Sequence, residues 1–166
     1  GDNWKDAVEL AQIGSIYDFL INKNGIFFVS SKGQFYDGTY RSTDGGITWN
    51  KVTDEVSRKL LERSNGELYG WANSGTAFIH SSSQNGKTWD TYFAEDYISF
   101  HDVFIDNRGM LYALVEVFPS GKEFDRIEAN EVSSFDSGVN GNYPLSMKQD
   151  SRNNLYAGTA YGLYKT

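Results

Sequence analysis

Catalysis and metal binding need carboxylates, imidazoles, thiols or hydroxyls at workable spacings. The chain carries 22 acidic residues, 2 histidines and no cysteine. Two carboxylates about 5–10 Å apart could hydrolyse a glycosidic bond. So many acids create many such pairs, and no spacing along the chain singles one out. His80 and His101 each stand alone on or beside a predicted strand, and each reads as a strand residue rather than a ligand or base. Without cysteine there is no disulfide, thiol nucleophile or thiolate metal site. No His-x-His, Gly-x-Ser-x-Gly or phosphate-cradling loop is present. The turns Asn22-Lys23-Asn24-Gly25 and Asp106-Asn107-Arg108-Gly109 look faintly like calcium loops, but Lys23 and Arg108 oppose a second cation there. The sequence names no catalytic residue, no metal site and no cofactor.

Something must position whatever remains. The 166 residues suffice for one domain with a real core. Aromatics at 16%, with 17 glycines and only 2 prolines, suit short strands joined by tight turns. The net charge of −7 argues against a nucleic-acid partner, whose backbone calls for a basic face. No apolar run is long enough to cross a bilayer. No signal peptide is visible, so the chain is expected to be cytosolic or already mature.

One string recurs four times: an apolar strand end, a polar turn and a new strand. The copies are 20–29, 61–70, 104–113 and 148–157. Their markers Phe28, Tyr69, Tyr112 and Tyr156 lie 41, 43 and 44 residues apart. That interval suits a four-stranded propeller blade, of about 40–45 residues. The predicted fold is therefore an all-β propeller of about four four-stranded blades, forming a single domain over residues 1–166. Inner strands A are expected at 16–22, 58–63, 100–106 and 145–150, and strands B at 26–30, 67–71, 110–115 and 155–158. Strands C are expected at 39–42, 77–81, 122–127 and 163–166, and outer strands D at 48–52 and 88–93. In the third repeat the spacing puts Phe135 where strand D opens. The segment 53–63 reads locally as a capped helix, but the repeat phase assigns it to a loop and strand A. The fourth strand D is missing at the C-terminus, while Asn3–Val8, with Trp4, matches that strand. Paired with 163–166, it is expected to close the ring.

Two turns punctuate the repeat. Ser42-Thr43-Asp44-Gly45-Gly46-Ile47-Thr48-Trp49 reads as a hairpin corner running into a strand. Asp44 can accept backbone N–H bonds from the turn, and Gly45-Gly46 supplies positive φ. The pattern returns at Ser82-Ser83-Gln84-Asn85-Gly86-Lys87-Thr88-Trp89. Trp49 and Trp89 are expected to be buried between adjacent sheets. Ser-x-Asp-x-Gly-x-Thr-Trp resembles the Asp-box, or BNR repeat, of sialidase-like β-propellers. The resemblance implies structural roles for Ser42, Asp44, Gly46, Trp49, Ser82, Gly86, Trp89 and, at the N-terminus, Trp4.

The same resemblance implies what a sialidase would need: an arginine triad, a Tyr–Glu nucleophile pair, an acid Asp and an Arg-Ile-Pro motif. Here Arg126-Ile127 is followed by Glu128, and the arginines at 41, 58, 63, 108, 126 and 152 show no matching arrangement. No catalytic residue carries over, and an enzymatic role is not favoured. What remains is a binding surface. In a propeller the B–C and D–A loops emerge on one side, and here they carry Phe35, Tyr36, Tyr97, Phe118, Tyr143 and Tyr161. Such rings could stack on sugars or anchor in a partner's pocket, or could instead plug the channel. Glu116 and Lys122 flank Phe118 and could orient a ligand. The expected function is a non-enzymatic scaffold that recognises a protein or a carbohydrate. The alternatives are a glycan-processing enzyme of the sialidase-like class or a piece of a larger propeller. The resemblance further implies an extracytoplasmic location: periplasmic, secreted or surface-anchored after signal removal.

Overall fold

The structure is a computed structural model that describes residues 14–33, 36–73, 76–96, 98–117, 121–128, 131–134 and 144–166. It is a β-propeller of four antiparallel sheets. The first blade holds β1 (Ser15–Ile21), β2 (Phe27–Lys32), β3 (Gly38–Ser42) and β4 (Asn50–Thr53) in chain order. The second holds β5 (Lys59–Glu62), β6 (Leu68–Asn73), β7 (Thr76–Ser82) and β8 (Asp90–Asp96). The third holds β9 (Ile98–Ile105), β10 (Leu111–Val117), β11 (Gly121–Glu128) and β12 (Glu131–Ser134). In the fourth, β13 (Pro144–Gln149), β14 (Leu155–Thr159) and β15 (Gly162–Lys165) form three described strands. The expected closing strand at 3–8, including Trp4, lies outside the described residues. The chain divides into two compact units, 1–72 with 80–90, and 73–79 with 91–166.

Three of the A–B turns are each built by one side chain. Asn22 Oδ1 accepts the N–H groups of Asn24 and Ile26 at 3.0 and 2.9 Å. Asp106 Oδ1 does the same for Arg108 and Met110, and Asp150 Oδ1 for Arg152 and Asn154. These oxygens are aimed inward at their own turn, which is the geometry of an Asx turn rather than of a metal loop.

Strand register sorts the side chains into two faces. In the first unit, β1 and β2 pair Leu20 with Phe28 and Phe19 with Val29, so Leu20 and Phe28 share one face. That face packs on the second blade, where Phe28, Leu60 and Leu68 form a buried cluster with Leu20, Ile26 and Trp89 around it. The second unit repeats the arrangement at the same phases. Tyr112 and Leu114 of the third blade pack on Met147 and Leu155 of the fourth, flanked by Phe104 and Met110. A polar latch accompanies each packing. The N–H of Lys23 donates to Glu62 at 2.9 Å, and that of Asn107 to Gln149 Oε1 at 2.7 Å. Glu62 and Gln149 both end an inner strand.

The structure changes two expectations and decides a third. Strand D of the third blade is β12, which pairs Glu131 with Glu128 across a short connection and so opens earlier in the chain than the expected Phe135. The tight β11–β12 hairpin replaces the long box turn, so spacing counted from the other repeats placed this strand too late. Trp49 and Trp89 are half-buried rather than fully buried. Trp49 folds over its own turn, its Nε1 donating to Gly46 O at 3.0 Å, while Trp89 meets the rings of Phe28 and His80 edge-on or tilted. Residues 54–58 form no helix. Thr39 Oγ1 donates to Glu55 O, and Ser57 N–H donates to Ser30 Oγ at 2.7 Å, so contacts with the first blade override the local helical pattern.

Two glycines test this packing. Both Gly25 and Gly86 have positive φ, at 73° and 72°. A Cβ at Gly25 would meet open space, whereas one at Gly86 would fall 2.1 Å from the Phe28 ring. Gly86→Ala should therefore cost about 1–3 kcal/mol more than Gly25→Ala in urea unfolding, because overpacking adds to a shared backbone penalty. Equal costs would show that Gly86 is required for its φ alone.

Candidate functional site

The box turn of the first blade is tied together by its own side chains. Ser42 Oγ donates to Asp44 Oδ1 at 2.7 Å and accepts the Gly46 N–H at 2.9 Å. Asp44 accepts the N–H of Ile47 at 3.1 Å, and both the N–H and the hydroxyl of Thr48, at 2.9 and 2.5 Å. The Thr48 hydroxyl, its N–H and the Ser42 hydroxyl hold the Asp44 carboxyl down to about 2. A carboxylate so occupied stays charged and is committed to the turn. In the second blade Gln84 replaces the acid, and its main-chain carbonyl accepts the Lys87 N–H at 3.3 Å. Ser42 and Ser82 are buried, and Gly86 is packed on Phe28. Arg41 Nε donates to Asn85 O at 2.8 Å, and Asn24 Nδ2 to Asn85 Oδ1 at 2.7 Å, so this turn is bound to the first blade.

A serine–histidine pair lies nearby in the same unit. Ser57 Oγ and His80 Nε2 share a hydrogen bond of 2.7 Å. Paired on an open surface, such groups could act as nucleophile and base. Here Ser57 is fully buried and His80 only 2% exposed. A Cβ on Gly70 would lie 2.1 Å from His80 Nε2 and 2.2 Å from Ser57 Oγ, so the glycine is what lets the pair fit. No substrate can reach the hydroxyl, and the pair serves packing. It links β7 to the loop that Ser30 of the first blade also holds.

The open positions are elsewhere. β1, β9 and β13 each skip one residue of the ladder, at Tyr17, His101 and Leu145. Aligned on the A–B turns, these occupy one phase of the inner strand, and Arg58 is their counterpart just before β5. All four are exposed. A bulge leaves its residue unpaired and re-aims the side chain, a device common beside binding sites. In the second unit it brings His101 Nε2 to 2.9 Å from Glu116 Oε2, both partly accessible. Among the described residues no cluster of three or more histidine or acidic side chains could hold a metal.

Of the aromatic residues expected to face a ligand, Tyr36 and Tyr161 are described and both are exposed, Tyr161 at 76%. Tyr36 belongs to the first unit and Tyr161 to the second. Phe35, Tyr97, Phe118 and Tyr143 lie outside the described residues. Glu116 is the expected polar group that the structure places, and it faces His101. The sequence reading passed over the bulged positions and treated His101 as a plain strand residue. The column Tyr17, Arg58, His101 and Leu145, which holds no consistent residue type from blade to blade, was the available signal.

Burial pushes the His80 imidazole down to about 4. In the unfolded chain the ring takes up its proton near its ordinary pKa of about 6.5. The resulting stability is full above about pH 6.5, falls as the pH drops, and levels off near pH 4, for a loss of about 3 kcal/mol. Urea unfolding between pH 7 and pH 4 should show this slope, and His80→Gln should remove its share. A slope unchanged in the variant would contradict the assignment.

Propeller proteins of several kinds share this fold. The extracellular domain of the putative one-component system BT4673 from B. thetaiotaomicron is 16% identical with a TM-score of 0.64, over 91% of this chain and 21% of that one. YCF48 bound to D1 peptide is 18% identical with a TM-score of 0.68, over 100% of this chain and 55% of that one. The GH74 xyloglucanase from Xanthomonas campestris is 12% identical with a TM-score of 0.68, over 99% and 32%. At such identities the likeness is one of fold alone, and the chain spans well under two thirds of each. No curated protein matches the sequence. The DUF6242 beta propeller domain matches residues 1–100, more than half of the chain, and the chain belongs to that family.

Proposed function

We propose that this chain is a non-enzymatic binding propeller that recognises a protein or glycan through the loop-bearing ends of its blades. The observation that carries this reading is the exposure of Tyr36 and Tyr161, each on a B–C connection, where a large ring is left in water. Solvent-facing aromatics at loop ends suit stacking on sugars or insertion into a partner's pocket. The remaining B–C and D–A aromatics, Phe35, Tyr97, Phe118 and Tyr143, are proposed binding residues as well. The bulge-presented His101, hydrogen-bonded to Glu116, adds a polar group of the sort that orients a ligand. Propellers of like fold include one seen with a peptide and one that is a xyloglucanase, which makes both ligand classes reasonable.

The box turns at 42–49 and 82–89 belong to this proposal as Asp-box, or BNR, repeats. Their support is the hydrogen-bonding of Ser42 and Asp44, which leaves them no part in ligand binding. An extracytoplasmic location is supported by the extracellular domain of like fold. The second reading, a glycan-processing enzyme, rests on the accessible imidazole–carboxylate pair at His101 and Glu116.

A glycan array and an immobilised peptide library would identify a ligand, and glycoside hydrolysis assays would expose an activity. Against any ligand found, Tyr36→Ala with Tyr161→Ala should weaken binding about tenfold or more, as loss of aromatic anchors does, with an unchanged melting temperature. Full binding by the double variant would refute the site. Turnover lost in Glu116→Gln would favour the enzyme.

A further inference from the structure

An asparagine side chain followed by glycine is open to attack by its own backbone, because glycine has no side chain to shield the attacking nitrogen. The dipeptide occurs four times, beginning at Asn24, Asn65, Asn85 and Asn140. Asn140 lies outside the described residues, and the other three stand in exposed turns of the first unit. By sequence these three are equals, but their hydrogen bonds differ. Gly25 N–H donates to Asn22 O at 2.9 Å, and Gly66 N–H to Arg63 O at 2.8 Å. The side chains of both turns are engaged too. Asn65 Oδ1 accepts the Glu67 N–H at 3.0 Å, and Asn24 Nδ2 donates to Asn85 Oδ1 at 2.7 Å.

Gly86 is the exception. At the same phase of the first box turn, Gly46 N–H donates to Ser42 Oγ at 2.9 Å. Asp44 makes that possible by accepting the Ser42 hydroxyl at 2.7 Å, which turns the oxygen's lone pairs toward the glycine. In the second box Gln84 stands in place of the acid. There Ser82 Oγ is buried without a partner, and Gly86 N–H makes no hydrogen bond among the described residues. A buried main-chain donor without an acceptor is uncommon, and it leaves the nitrogen uncommitted. The carbonyl groups beside it are held from the first blade. Arg41 Nε donates to Asn85 O, and Asn24 Nδ2 to Asn85 Oδ1. A donor on Oδ1 draws electrons from Cγ, the carbon that the Gly86 nitrogen would attack.

We propose that Asn85-Gly86 is a self-modification site, where the folded protein deamidates faster than at Asn24 or Asn65. The Gly86 nitrogen gives its proton to a base in solvent and bonds to Asn85 Cγ, closing a five-membered succinimide. The Cγ–Nδ2 bond breaks, and the amide leaves, protonated, as ammonia. Attacker and target are held in one short segment, so the step is unimolecular. Water then opens the ring. Opening at the side-chain carbonyl gives aspartate. Opening at the main-chain carbonyl gives isoaspartate, with one more carbon in the backbone. Both products add a negative charge, and isoaspartate also lengthens the chain where Gly86 seats against Phe28. The site lies on the outer turn that Arg41 and Asn24 tie to the first blade, so conversion alters a contact between two blades of one unit. This inference is independent of the ligand proposed above.

Peptide mapping by mass spectrometry reads the site directly. The folded protein is incubated for days in mildly alkaline buffer, beside a sample kept unfolded in urea. In the folded sample Asn85 should convert about fivefold or more faster than Asn24 and Asn65, whose glycine N–H must first give up a hydrogen bond. In urea the three should converge, because only the shared dipeptide remains. Gln84→Asp should restore the acceptor that orients Ser82 Oγ toward Gly86 N–H. It should slow Asn85 in the folded protein to the pace of the other two and leave the urea rate unchanged. Amide hydrogen exchange checks the premise, with Gly86 expected to exchange faster than Gly25 and Gly66. Folded-state conversion at Asn85 no faster than at Asn24 or Asn65 would overturn the proposal. So would Gly86 exchange as slow as that of the other two glycines, or a Gln84→Asp variant that loses Asn85 as fast as its parent.

Discussion

The contact on which this structure depends is a small apolar pair pressed against the aromatic face of the blade before it. Leu60 and Leu68 lie on Phe28, and Met147 and Leu155 lie on Tyr112. A single four-stranded sheet has two faces and cannot bury either one alone. The repeat must therefore supply a large ring on one face and smaller apolar side chains on the other, in register. The inter-blade hydrogen bonds follow from this stacking, because the Lys23 and Asn107 N–H groups reach Glu62 and Gln149 only when the sheets are seated. So does the fit of Gly86, whose missing Cβ leaves room for the Phe28 ring.

Stacking of this kind separates structural groups from those free to bind. The side chains with the most suggestive chemistry are consumed by the fold. Asp44 is hydrogen-bonded within its turn, and the Ser57–His80 pair is sealed beneath Gly70. What the fold leaves in water comes from irregularity. Bulges at one phase of the inner strands turn Tyr17, His101 and Leu145 out of the ladder, and B–C connections hold Tyr36 and Tyr161 clear of the core. The regular part of the repeat carries stability, and its departures carry the surface available to a ligand.

The repeat was legible because identity recurs where packing is strict. Phe28, Tyr69, Tyr112 and Tyr156 mark one phase of one strand, and the strands follow within about two residues of their expected bounds. The third outer strand was not legible, because its hairpin is shorter than the box turns and fixed spacing misplaces it. Tryptophan burial was overread. A ring after a tight turn can fold back on that turn, as Trp49 does through Gly46 O. The latch was hidden because its donor is a backbone N–H, which no letter in the sequence records. The candidate site was half legible. Loop aromatics are visible as letters, whereas a bulge is a property of pairing and appears only once register is known.

A double-mutant cycle between Phe28 and Leu60 tests the central claim most directly. Phe28→Leu, Leu60→Ala and the combination are compared by urea unfolding. If blade-on-blade packing is the organising contact, the two changes should couple by about 1 kcal/mol or more, as residues sharing a packed contact do. Additive costs, within about 0.3 kcal/mol, would mean that each blade holds these residues by itself and would contradict the account.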